Sequence, residues 1–483
     1  MKPFRLFLFF LFVLSGIMAI SLSFPGFEWR ITGKWFIKIP DPVQFVQAAS
    51  DNLNTLVGND SAEFLGLLKT DSVHSDTDTP DTSSGGLEPT VSTAQPSPQH
   101  HLYFPGRDTT LLYPLFKKME QARHLKGGIR ILYYGDSQIE GDRITAYLRK
   151  KLQARFGGHG PGLISPRMVV SYTQSVQVSG SANWRRYTLM DYRESIVSSN
   201  RFGILLNYCS FTAPYEHISD DEIHTAYIKI TPARMGYDNS EVYRVCRILT
   251  DDLINPLDID MEAGEQRIHD RITQRKSQIL SYTFNAPVNQ LEIHLRASRS
   301  PRIFGISLDD TSGIALDNIP LRGSRGTDFS RTDTAFLRQM YHAMNVELII
   351  LHFGVNVAMH VVEDYTYYEN VLFRELMILK QIADCPILVI GISDMYVDGG
   401  ARTLPNLLKI RAAQKNATLK AQGIFYDLYT AMGGEGSMKI WVASDPPLAR
   451  SDHIHFSREG ADFVARMIYE ELMNGCSPFE TNR

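Results

Sequence analysis

Ser137 stands in the string Tyr134-Gly135-Asp136-Ser137-Gln138, where an apolar run from Gly128 to Tyr134 gives way to a tight turn and then to helical spacing. A serine at such a junction exposes its hydroxyl at the carboxyl end of a sheet. Its own N–H sits at a helix N-terminus, where unpaired amides and the helix dipole favour developing negative charge. Those are the requirements of an acyl-transfer nucleophile. The same tripeptide also serves as an ordinary turn with Ser137 as its cap. Downstream, Asp452-His453-Ile454-His455 precedes the last amphipathic stretch. An aspartate three residues ahead of a histidine can fold back to accept its Nδ1–H, leaving Nε2 as a general base. His455 and Asp452 fit those roles, although Asp452 and Ser457 could equally cap the helix that follows. A metal site built on Asp452, His453 and His455 would need further ligands, and the chain has no H-x-x-x-H or H-E-x-x-H string to supply them. Two more strings lie between. Leu321-Arg322-Gly323-Ser324-Arg325-Gly326-Thr327 can bring a backbone N–H close to a substrate. Phe353-Gly354-Val355-Asn356 places a side-chain amide at the end of the strongest strand.

The surrounding pattern says how these strings are held. Gly128–Tyr134 reads as a buried strand, and Ile139–Phe156 as a helix with Ile144, Leu148 and Leu152 at four-residue spacing. The alternation resumes with a strand over Val346–Phe353, a helix over Tyr367–Ile382 and a strand over Pro386–Ile392. A helix over Leu404–Ala421, a short run Ile424–Leu428 and a helix over Ser457–Met473 complete it. Strands separated by helices of this length predict an α/β fold with a parallel sheet covered on both faces. Residues 167–300 differ. Short β-prone runs there, Arg167–Val178, Phe202–Tyr208, Thr225–Ile230, Val242–Ile248, Gln278–Phe284 and Gln290–Leu295, predict an inserted β-sandwich. Residues 101–166 and 301–483 then form the catalytic part, and both ends of the insert must return to its sheet.

The N-terminal hundred residues have another character. Leu6–Phe24 is 19 residues without a charge, close to the roughly 30 Å of a bilayer's hydrocarbon core at about 1.5 Å per residue. It reads as an uncleaved signal anchor or as a signal peptide cut after Ser21, and in either case the remainder is expected to be exported. Residues 25–70 carry no assignable chemistry. From Asp71 to Gln99 six Ser, five Thr, four Pro and two Gly leave too few apolar residues for a core, so 71–100 is expected to be a disordered tether. Across all 483 residues, 49 Lys and Arg balance 53 Asp and Glu for a net charge of −4, which argues against a nucleic-acid partner. Four cysteines without a C-x-x-C pair remove the common zinc and redox signatures.

Taken in order, Gly135-Asp136-Ser137, a loop glycine, Gly354-Val355-Asn356 and Asp452-x-x-His455 resemble the four blocks of the SGNH/GDSL hydrolases. The resemblance implies a flavodoxin-like three-layer fold and a cofactor-free esterase with Ser137 as nucleophile, His455 as base and Asp452 as its orienting partner. It further implies an oxyanion hole made by the Ser137 N–H, the Asn356 side chain and a loop glycine, Gly326 or else Gly323. Within that family the chain is most similar to peptidoglycan O-acetylesterases of the bacterial cell envelope. They too carry a β-rich, carbohydrate-binding-module-like insert, preceded by a loop such as Gly157-Gly158-His159-Gly160-Pro161-Gly162. Gln138 and Val357 depart from the pattern, standing where those esterases often have His and where many family members have Asp. The implied substrate is an O-acylated polysaccharide or peptidoglycan, met outside the cytoplasm by an enzyme held to the membrane through its N-terminal segment. A membrane-tethered polysaccharide O-acetyltransferase and a non-catalytic glycan-binding protein are the alternatives.

Overall fold

The computed structural model of the protein describes residues 28–32, 35–38 and 101–475, apart from 171–172, 190–199, 213–221, 235, 274–278 and 398–399. The apolar segment Leu6–Phe24 and the linker 71–100 lie outside the described residues. Among the described residues no helix is long and apolar enough to cross a membrane. The chain divides into two compact units, Met1–Val91 and Ser92–Arg483. In the first, Glu28–Thr32 and Trp35–Lys38 pair as an antiparallel hairpin.

The second unit is built on a mixed six-stranded sheet. Its strands are β1 (Leu102–Tyr103), β2 (Ile129–Gly135), β3 (Ile314–Pro320), β4 (Val346–His352), β5 (Ile387–Ile390) and β6 (Ile424–Tyr426), in the spatial order β3-β2-β4-β5-β6-β1. All neighbours are parallel except the two-residue edge strand β1, which runs antiparallel to β6. Without β1, the five parallel strands counted along the chain stand in the order 2-1-3-4-5 of a doubly wound sheet. Six helices cover it: α1 (Tyr113–Gln121), α2 (Thr145–Phe156), α3 (Thr334–Ala343), α4 (Thr366–Ile382), α5 (Leu407–Lys420) and α6 (Arg458–Asn474). Alternate strand residues choose between the layers. Leu132, Tyr134, Ile349 and Leu351 pack with α3, α4 and α5. Ile131, Tyr133, Leu348 and Ile350 pack with α1, α2 and α6. Strands buried on both faces explain why they read as unbroken apolar runs.

Several elements differ from the sequence reading, and α1, α3 and the strand Ile303–Asp309 were not expected. The helix expected from Ile139 starts at Thr145, because Gly141 (φ 71°) and the extended Glu140 break off a separate 3-10 turn over Ser137–Asp142. Strand β3 was not anticipated, since Asp317 and Asn318 interrupt its apolar run. Asp317 is nonetheless fully buried and ion-paired to Arg130. The hairpin Leu257–Ala263/Gln266–Ile272 was also missed, although its residues alternate regularly.

Between α2 and β3, two antiparallel sheets face one another. One has the order Ile279–Val288, Tyr243–Thr250, Ile303–Asp309, Asn207–Ser210, Arg185–Thr188. The other runs Gln266–Ile272, Leu257–Ala263, Leu291–Ala297, His224–Pro232, Val176–Gly180. Ile228, Ile259, Ile293, Ile248 and Leu308 are among the side chains enclosed between them. The strands that enter and leave this region pair with each other, Gly162–Ile164 against Ile303–Asp309. The glycine loop ahead of them serves that seam. A Cβ on Gly160, at φ 93°, would lie 2.2 Å from the Leu308 carbonyl oxygen.

Buried charges close the same seam. Arg130 of β2 reaches Asp317 of β3 at 2.5 Å and Asp309 of the sandwich at 2.6 Å, and Arg247 joins Asp309 at 3.0 Å. Burial works against the Arg130 charge, but Asp309 and Asp317 outweigh it and raise the pKa. Removing one member of such a group strands the others without solvent. Arg130→Met is therefore expected to lower the unfolding free energy by about 3–5 kcal/mol in urea denaturation.

Candidate active site

Strand β2 is buried along its whole length and ends at Gly135, where a Cβ would lie 2.9 Å from the His352 carbonyl oxygen at the end of β4. Only glycine lets the two strand ends approach so closely. Asp136 follows as the cap of the 3-10 turn, with Oδ1 accepting from the Gln138 N–H at 3.0 Å. Ser137 is the first residue of that turn, so its N–H has no acceptor inside it. Its Oγ lies 2.9 Å from His455 Nε2.

His455 lies in the loop that the Ala449–Phe456 bridge closes, just ahead of α6. The loop is closed by Arg450 N–H donating to the His455 carbonyl at 2.9 Å and His453 N–H to the Arg450 carbonyl at 3.0 Å. Asp452 folds back as its spacing suggested. Oδ2 is 2.7 Å from His455 Nδ1, while Oδ1 accepts the N–H groups of Ile454 and His455 at 2.9 Å each. Burial opposes the Asp452 charge, but the ring and the two backbone donors prevail and hold its carboxyl at about 2. An ionised Asp452 keeps the proton on Nδ1 and leaves Nε2 to accept from Ser137. His453 takes a different direction: it adopts φ 58° and its Nδ1 lies 2.9 Å from the Ser451 carbonyl. Among the described residues no three His, Cys, Asp or Glu side chains converge as a metal site would require.

The other two loops are laced to the turn that carries Ser137. Leu321 N–H donates to the Gly135 carbonyl at 2.7 Å. Asn356, in the short helix Val355–Ala358 after β4, donates through Nδ2 to the Ser324 carbonyl at 3.0 Å. One N–H of its amide is therefore committed to holding the glycine loop, and the amide carries a second. Gly326 is buried with φ 77°, and its N–H donates to Ser324 Oγ at 3.0 Å. Gly323, at φ 81°, is exposed. The resemblance had implied that one of these glycines offers an N–H to substrate. In the structure that of Gly326 already has an acceptor.

Three groups with structural leverage escaped the sequence reading. Asp136 is 1% exposed, and its Oδ2 accepts from Gly354 N–H at 3.1 Å and Val355 N–H at 3.2 Å, so it ties the nucleophile turn to the Asn356 loop. Burial pushes its carboxyl up to about 6, against the pull of those three amides and of His455. Gln138 is 2% exposed and reaches the His455 loop, its Nε2 donating to the Ile454 carbonyl at 2.7 Å. Glu140 and Arg322 pair at 2.5 Å between the nucleophile turn and the glycine loop. The polar type of each residue was visible in the sequence, but the partners it holds in the other loops lie 182 to 318 positions away.

No family model matches the chain, and no curated protein sequence matches it. Among solved structures, that of a peptidoglycan O-acetylesterase superposes with a TM-score of 0.59 at 20% identity, covering 77% of this chain and 98% of that one. An acetylxylan esterase from Geobacillus stearothermophilus is 14% identical over 33% of this chain and 73% of its own, with a TM-score of 0.26. A family two carbohydrate esterase from Cellvibrio japonicus is 10% identical over 62% and 98%, with a TM-score of 0.22. Only the first of these likenesses is close enough to bear on architecture, and it extends over almost the whole of that esterase. The chain shares its fold.

Proposed function

We propose that the protein is a serine esterase of the SGNH type that removes acetyl groups from a cell-envelope glycan. The observation that carries this reading is the unbroken run from Ser137 Oγ through the His455 ring to the Asp452 carboxylate, at 2.9 and 2.7 Å. Ser137 Oγ attacks the ester carbonyl as His455 Nε2 takes its proton, and Asp452 stabilises the imidazolium so formed. The proton passes to the departing sugar alkoxide, leaving an acetyl-serine. Water, deprotonated by the same His455, then releases acetate.

The negative charge on the tetrahedral oxygen falls to the Ser137 N–H and to the second N–H of Asn356, with Gly323, or Gly326 once the Ser324 hydroxyl releases its N–H, as the third donor. Each such donor is typically worth about 3–4 kcal/mol. Support for acetate on a glycan comes from the fold shared with a peptidoglycan O-acetylesterase. The β-sandwich stitched to the nucleophile strand offers a second surface for a polymer. In this reading the enzyme acts outside the cytoplasm, tethered by Leu6–Phe24 and the linker, and needs no cofactor. The sequence alone supports that location.

Ser137→Ala and His455→Ala are each expected to lower turnover of a chromogenic acetyl ester by at least about 10³-fold with thermal melts nearly unchanged, because members of a catalytic unit fail together. Retention of a tenth of the rate by Ser137→Ala would exclude it as nucleophile. The wild-type protein is expected to release acetate from O-acetylated peptidoglycan without an acceptor sugar. A transferase would need the acceptor, and a binding protein would give neither reaction.

Asn356→Ala should cost about 10²-fold in kcat with KM little changed, since its amide acts on the charged intermediate. A change confined to KM would assign it to substrate binding instead.

The Asp452 carboxyl is held below its unfolded value of 3.8, at about 2. Its stabilisation is therefore present above about pH 4 and disappears as pH falls towards 2. After allowance for solvent screening it is on the order of 1 kcal/mol. Asp452→Asn should flatten that part of the pH–stability curve, as measured by denaturant midpoints from pH 5 to 2.

A further inference from the structure

Besides the Oγ–Nε2 contact, a second connection joins the nucleophile turn to the base loop. The Gln138 carboxamide lies across the backbone on either side of His455. Nε2 donates to the Ile454 carbonyl at 2.7 Å, and Oε1 accepts from the Phe456 N–H at 3.4 Å. A side chain thus makes the donor-and-acceptor pair that a neighbouring strand would make. Its own backbone is fixed as well, through the Gln138 N–H on Asp136 Oδ1 at 3.0 Å. Phe456 is buried and Gln138 almost completely so, so water is a poor substitute at the Phe456 N–H, while Ile454 is half-buried. A buried carbonyl or amide left without a partner costs about 1–3 kcal/mol.

We propose that Gln138 is a positioning residue that holds His455 Nε2 in register with Ser137 Oγ. This rests on the acyl-transfer reading above. The Ser137–His455 bond alone cannot set that register, because it must break and reform as His455 carries its proton. The bonds from Gln138 are outside the reaction and persist through it. Asp136 and Gln138, the residues before and after Ser137, divide the work: one holds the Asn356 loop and the other the His455 loop. Glutamine suits the second task because its donor and acceptor stand side by side and neither depends on pH. The charged or titratable groups nearest along the chain are Asp136, Glu140 and Arg143 beside Gln138 and Asp452, His453 and His455 beside its partners, and the pair on Ile454 and Phe456 is made by Gln138.

The test compares Gln138→Leu, Gln138→Glu and Gln138→His with wild type on a small acetyl ester. Gln138→Leu keeps the bulk and loses both bonds, and is expected to lower kcat about 10- to 100-fold with KM changed less than about twofold. Gln138→Glu presents no donor when ionised and regains one when protonated, so its rate relative to wild type at the same pH should rise from pH 8 to pH 5. Thermal melts at each pH separate this from loss of fold. Gln138→His, with one ring nitrogen donating and the other accepting, should recover part of the rate. A wild-type kcat in Gln138→Leu, or a Glu variant whose relative rate does not change with pH, would overturn the proposal. Amide exchange at Phe456 provides a readout independent of turnover: Gln138→Leu should exchange it at least about 10-fold faster, and an unchanged rate would overturn the clamp. Absence of Ser137-dependent turnover in the wild type would instead refute the esterase reading.

Discussion

A carboxylate removed from water sits at the centre of the site. Asp136 is 1% exposed and takes three backbone N–H groups, one from its own turn and two from the loop after β4. Its burial raises the carboxyl to about 6, so the charge is carried at a cost that the three amides only partly offset. What this secures is geometry. The turn bearing Ser137 and the loop bearing Asn356 cannot drift apart without leaving a buried anion unsolvated. The Asn356 amide in turn grips the Ser324 carbonyl, and Leu321 bonds to Gly135, so the glycine loop is held from both sides.

This lacing is possible because of strand order. β2 lies between β3 and β4, and the three loops that leave their carboxyl ends emerge side by side at the position where the winding of the sheet reverses. The fourth loop, with Asp452 and His455, arrives from the start of α6 on the same edge and is joined by the Ser137 and Gln138 contacts. The sandwich is not an appendage to this arrangement. Its first and last strands pair with each other beside β3, and the Arg130 group ties Asp309 to β2 and β3. Arg149 of α2, fully buried, makes a second tie by bridging Asp142 of the nucleophile turn and Ser175. Both ties start from the strand or the turn that carries Ser137.

Local periodicity made most of the parallel sheet legible, because β2, β4 and β5 are buried on both faces and leave continuous apolar runs. The spacing of Asp452 and His455 was legible for a similar reason: three residues is a local loop closure. What escaped was determined by distant partners. β3 looked too polar for a buried strand because the residue that neutralises Asp317 is Arg130, 187 positions earlier. The carboxylate of Asp136 and the amide of Gln138 looked like ordinary turn residues, since nothing within a few residues shows what they hold. The hairpin over 257–272 is a different case. Its period-two pattern around Gly264 was present in the sequence and simply outweighed by its charge, which faces solvent in alternate positions.

The proposed chemistry turns on Ser137 being a nucleophile made reactive by His455. The most direct measurement is peptide mass mapping of the intact protein after reaction with an aryl phosphonate, which labels a serine only where a base activates it and an oxyanion site receives the phosphoryl oxygen. A single adduct on Ser137 is expected in the wild type, with its loss, or formation at least about 10³-fold slower, in His455→Ala. No adduct on Ser137, or one that forms at the same rate without His455, would contradict it.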